Sequence, residues 1–165
     1  MLPEAVEELI EAAMAERLAT IQAGTVIYNE PSATVEYWMT PWVTRELLPI
    51  DQYKADELET GVLGVMRASG SLIEVNPREP DGEHAHRVAV WGYVSKTPDM
   101  IAGTALNRLA SDARRCLMTD RYLGGLVMDL RPDGPRDTDD AAREPRAFFR
   151  QHWVARMSEA FPQGD

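Results

Sequence analysis

Apolar residues recur every three to four positions through the first twenty residues. Val6, Leu9, Ile10, Ala13, Met14 and Ile21 fall on one side with Leu18 alongside, while Glu7, Glu8, Glu11 and Glu16 occupy the opposite face. This period predicts one amphipathic helix. Pro3 suits its first turn, Glu4, Glu7 and Glu8 meet the positive end of the macrodipole, and Gly24 supplies a stop. Two short stretches rich in β-branched and aromatic residues follow, 25–28 and 34–39, split by Asn29, Glu30 and Pro31. They predict two strands or one bent hairpin.

Between 41 and 70, Pro41, Pro49, Gly61, Gly64 and Gly70 break the pattern, with a short helix expected over 51–59. A short strand is expected over 71–75 and a loop over 76–83. Residues 87–95 then alternate with both faces apolar: Val88, Val90 and Val94 on one, Ala89, Trp91 and Tyr93 on the other. That predicts a central strand covered on each side. After a turn at Thr97, Pro98 and Asp99, a second helix carries the stripe Leu106, Leu109, Ala110, Ala113, Cys116 and Leu117. Its outer face is Asn107, Arg108, Ser111, Asp112, Arg114 and Arg115. A strand over 126–131 is expected with Leu126, Met128 and Leu130 inward, then a polar loop over 132–145. The last strand, 146–157, sets Phe149, Trp153 and Met157 against Arg150, His152 and Arg156.

This order predicts an α+β fold, a mainly antiparallel sheet with two helices packed on one face. Its 165 residues fit one domain. Apolar residues at 44% and charged residues at 27% mark a globular chain rather than a disordered one. The excess of 27 acidic over 17 basic residues gives −10, which disfavours a role in gripping phosphate backbones. The lone Cys116 excludes an intrachain disulfide and a multi-cysteine zinc site. Pro3 and the glutamates behind it do not read as a secretory leader, and no apolar run approaches the ~18 residues of a membrane span. A soluble protein of a reducing cytoplasm is expected.

Reactive constellations are sparse. His84 and His86 beside Glu83 form a His-x-His pair that a strand would place on one face, as a metal site requires; a polar loop entering a strand explains the same residues, and only a distant His152 offers a third ligand. Cys116 lies in the apolar stripe and reads as a core thiol. The 61–64 and 123–126 glycine pairs have neither the phosphate-loop nor the dinucleotide-binding context. Asp137, Asp139 and Asp140 lack the glycine and terminal glutamate of a calcium loop. Trp91 and Trp153 have strand neighbours, whereas Trp38 and Trp42 suit either core or packing against a neighbouring molecule.

The run Ala105-Leu106-Asn107-Arg108-Leu109-Ala110-Ser111-Asp112, then Leu117-Met118-Thr119-Asp120 and Leu123-Gly124-Gly125-Leu126, resembles the tail terminator and tail completion proteins of tailed bacteriophages. The motif positions are Leu106, Asn107, Leu109, Asp112, Asp120, Leu123, Gly124 and Gly125. Met128-Asp129-Leu130-Arg131-Pro132, the acidic stretch 137–144 and the aromatic final strand from Phe148-Phe149 to Met157 continue the pattern. The resemblance covers 1–22 and 87–158; the middle, about 30–85, departs from it and is expected to be assembly surface rather than core.

The resemblance implies a structural virion subunit whose long loops help it form a ring, usually a hexamer, on the end of the tail tube. Such a ring ends tube polymerisation and offers the surface to which the head docks. The implied partners are other copies of the chain, the tail tube protein and the head–tail connector proteins. The genome passes through without specific binding. The family carries no cofactor and no catalytic residue, and sits at the tail–neck junction after assembly in the host cytoplasm. The alternatives are a connector or neck subunit, or, in another class, a small cytoplasmic metal- or ligand-binding enzyme domain using His84 and His86. Ring contacts are expected from Trp38 and Trp42, and from Arg108, Arg114 and Arg115 against the first helix or the loop bearing Asp137, Asp139, Asp140 and Glu144. Acidity is compatible with such a ring, because an acidic bore repels DNA in transit.

Overall fold

The computed structural model describes residues 3–27, 35–76, 83–139 and 144–158. Among them, helix α1 (Pro3–Leu18) leads into a small antiparallel pair, β1 (Val26–Ile27) and β2 (Val35–Glu36). Next come β3 (Trp42–Thr44), β4 (Val62–Asn76), β5 (Glu83–Ser95), α2 (Ala102–Met118), β6 (Asp129–Thr138) and β7 (Arg146–Ser158). The large sheet has the order β3-β4-β5-β7-β6, antiparallel except for the parallel β3–β4 pair. This is an α+β fold, with both helices on one face of the sheet.

Strand parity explains the layering. Leu63 and Val65 of β4, Val88, Val90 and Val94 of β5, and Phe149 and Trp153 of β7 share one core with Ile10, Met14, Leu106, Leu109 and Leu117 of the helices. Fully burying each such side chain contributes roughly 1.5–3 kcal/mol. The opposite parity builds a second, smaller core from Tyr53, Leu58, Val62 and Tyr93, with Leu47, Ile50, Trp91 and Phe148 packed against it. Thus β5 is apolar on both faces because the helices cover one and the β3–β4 connection covers part of the other. Gly92 is fixed by packing: a Cβ there would collide with the Phe149 ring, which lies directly on its backbone.

Several expectations change. The first helix stops at Leu18, and Gly24 instead takes a left-handed turn between α1 and β1. On α1, Val6, Ile10, Met14 and Leu18 are buried and Glu8 and Glu16 exposed as the stripe predicts, but Leu9 is exposed and Glu7 and Glu11 are buried. The region 51–59 holds two single-turn 3-10 helices, Ile50–Gln52 and Ala55–Leu58, rather than one helix. The strand expected over 71–75 is the far end of the fifteen-residue β4. The middle of the chain is therefore not simply assembly surface: it supplies two strands of the main sheet and buries Leu58, Val62, Leu63 and Val65.

The strand expected from 126 begins at Asp129, with Val127 and Leu130 buried and Met128 exposed, and it runs on to Thr138 through much of the expected loop. Asp112, assigned to the outer face of the second helix, is fully buried. The breaker Asn29-Glu30-Pro31, most of the 76–83 loop and Asp140 lie outside the described residues.

Candidate functional site

Three polar groups sit inside or against the helix-side core. In the first, Glu7 and Glu11 stand one helical turn apart on α1 and point at the sheet, only 6% and 3% exposed. Arg67 of β4 bridges them, Nη1 to Glu7 at 2.9 Å and Nη2 to Glu11 at 3.0 Å, and Arg45 adds a longer contact to Glu11 at 3.8 Å. The buried ring of His86 lies beside both carboxylates, Nδ1 3.9 Å from Glu7 and Nε2 3.7 Å from Glu11. This joins α1 to β4 and β5 electrostatically. His86 therefore faces the helices, whereas His152, paired through the backbone with Ala89, faces the opposite side of the sheet. His152 does not approach His86. Among the described residues no group of three or more His, Cys, Asp and Glu is placed to hold a metal ion; the His84 side chain lies outside what is described.

The second group is the Asp112 carboxylate. It accepts the backbone N–H of Trp38 through both oxygens, at 3.1 and 2.9 Å, and that of Met39 at 2.9 Å. Burial pushes its pKa up, and the two backbone donors work against that shift. The clamp fixes the segment after β2 so that Met39 enters the core while Trp38, 54% exposed, is turned outward. There the guanidinium of Arg108 stacks over the indole, 4.4 Å from the ring centroid. The clamp and the stack together hold the tryptophan ready at the surface.

The third is Cys116, whose buried Sγ donates to the Arg17 carbonyl at 3.0 Å; burial raises its pKa, which keeps the thiol protonated and inert. The motif positions prove architectural. Leu106 and Leu109 are core, and Asn107 accepts from Arg136 at 3.1 Å. Asp120 accepts the N–H of Tyr122 and of Gly124. Three successive residues, Leu123, Gly124 and Gly125, then take positive φ, a run of backbone that only glycine adopts freely.

On the far face, acidic and basic side chains pair across strands. Arg150 binds Asp137 at 2.6 Å and Arg87 reaches Asp133 at 3.3 Å. Asp129 is pushed up by burial, but hydrogen bonds from Arg131 and Arg121 outweigh this and hold it below the usual carboxylate range. Asp139 accepts the Phe148 N–H at 3.2 Å, and Glu144 is exposed. Trp42 shares a face with Val62 through their parallel pairing and is 62% exposed, on the side opposite the helices. The structure therefore brings Trp38 together with Arg108 but separates it from Trp42.

Of the acidic partners expected for the arginines of α2, Glu7 and Glu11 are engaged by Arg67 and Asp137 by Arg150, while Glu8, Glu16 and Glu144 stand exposed. Sequence reasoning overlooked a different acidic surface, Asp51, Asp56, Glu57 and Glu59, all exposed on the β3–β4 connection. Its signal was present as four carboxylates with a single Lys54 between Pro49 and Gly61. No protein-family model matches the chain, and no curated protein matches it.

Proposed function

We propose that this chain is a structural, non-enzymatic subunit that assembles by heterologous contacts into a ring closing a phage tail tube, where it ends tube polymerisation and presents the head-docking surface. The observation that carries the reading is the display of one exposed tryptophan on each side of the sheet, Trp38 beside α2 and Trp42 on β3. A rotationally closed ring needs two unlike patches on every subunit, one for each neighbour. Tryptophan and arginine are the side chains most enriched where such contacts are strongest. The motif around 105–126 supports the reading from the sequence. Its residues hold a helix and a tight turn rigid, which suits a subunit that works by shape.

Electron microscopy tests this directly. Purified protein is expected to form closed rings, and tails assembled without it are expected to be overlong. Normal tail length with unjoined heads would move the assignment to a connector subunit, and a monomer that holds a stoichiometric metal would overturn it.

A further inference from the structure

Two patches of opposite charge stand on opposite sides of this subunit. Helix α2 turns Arg108, Arg114 and Arg115 outward, its single carboxylate, Asp112, being buried. Arg136 of β6 stands next to it, bonded to Asn107. Between α2 and the β6–β7 hairpin lies a cleft of about 300 Å³, lined by Arg114, Arg136 and Gln151 over Phe149 and Trp153. Across the sheet, the β3–β4 connection presents Asp51, Asp56, Glu57 and Glu59, with the exposed Leu48 beside them and Trp42 on the same side. Among the described residues, none of Arg114, Arg115, Asp51, Asp56 and Glu59 makes an ion pair within the chain.

We infer that these two surfaces are the halves of one contact between copies of this chain: the arginine ridge of α2 with Trp38 receives the acidic β3–β4 connection of the next copy. The inference rests on the ring reading above and names its contact. Opposite charges on opposite sides of a subunit favour head-to-tail docking and penalise the face-to-face dimer, in which like charges would meet. The cleft beside Arg114 and Arg136 gives an incoming carboxylate two guanidinium groups to bind, the residue type best suited to that geometry. The occupant is a second copy because the complementary acidic surface is on the chain itself.

Charge swapping tests the pairing. The full chain is compared by sedimentation velocity and mass photometry with Arg114→Glu/Arg115→Glu and with Asp56→Lys/Glu59→Lys. Circular dichroism and melting temperature close to wild type establish that each variant folds. Each variant alone is expected to lose the oligomer and run as a monomer. Their equimolar mixture, and the chain carrying all four changes, are expected to recover it, the mixture as an even-numbered alternating assembly. A wild-type ring that both variants retain, or monomeric variants that neither recovery restores, would overturn this pairing and leave the ring reading standing. A wild-type chain that stays monomeric at every concentration would overturn both.

Discussion

Under α1 and α2 the sheet buries Glu7, Glu11, His86 and Asp112, each fitted to a partner drawn from another element. On the opposite face Asp137 meets Arg150 on the neighbouring strand and Asp133 meets Arg87 across β7, at comparable distances but within reach of water. Distance alone is therefore a poor guide to what a charge pair does. Buried carboxylates fix which elements pack together, because leaving one unpaired is costly. The exposed ladder keeps a sheet face soluble and contributes little.

The largest expected effect separates the faces at two adjacent residues. Phe149→Ala, on the helix side, is expected to cost about 3–5 kcal/mol, and Phe148→Ala, half-buried on the other side, roughly half that, by urea denaturation. Equal losses would show that the small core matters as much as the large one. Next, Arg67→Met strands Glu7 and Glu11 and is expected to cost about 2–3 kcal/mol. This is less than for a fully enclosed pair, because Arg67 is itself partly exposed. The matching Arg150→Met change is expected to stay within about 1 kcal/mol.

Asp112→Ala, which orphans the N–H groups of Trp38 and Met39, is expected to cost about 1–3 kcal/mol. The pH dependence of Asp112 carries a sign. Because its folded pKa is raised above 3.8, its favourable contribution is full below that value and is lost as the pH rises through the raised pKa. Wild type should thus lose ground to Asp112→Asn on going from acid to neutral pH, and a gap that widened in the other direction would contradict the burial argument.

The smallest effect belongs to the exposed ladder. Burial, with Arg87 and Arg150 nearby, lowers the His152 pKa below 6.5. Its contribution is therefore present above 6.5 and lost as pH falls through the lowered value, a slope that His152→Gln should remove.

The apolar periodicities were a sound guide where an element has one dry face. The stripe of α2 and the two-sided burial of β5 follow directly from residue spacing. Polar residues misled because their partners are remote in sequence. Glu7 and Glu11 look solvent-facing until Arg67 arrives some sixty residues later, and Asp112 looks exposed until the backbone of Trp38 and Met39 covers it. Glycines misled for another reason. Gly64 reads as a break, yet it lies within β4 because Leu47 rests on it, at 2.8 Å from where a Cβ would be. The turn at 123–125 delays the strand to Asp129, so Val127 and Met128 exchange the places counted from Leu126 while Leu130 stays inward and Arg131 outward. Of the candidate surface, Trp38 and Arg108 were visible in sequence, but their contact was not.

Strand β6 closes one side of the sheet, and Pro132, Pro135 and the irregular pairing between Asp133 and Asp137 interrupt its backbone donors. At the other side the three-residue β3 pairs with only Val62–Gly64 of the fifteen-residue β4. The β6 rim therefore offers no long, regular template on which another chain can zip up. Contacts made along that rim are left to side chains, whose charge pairing salt undoes and dilution restores.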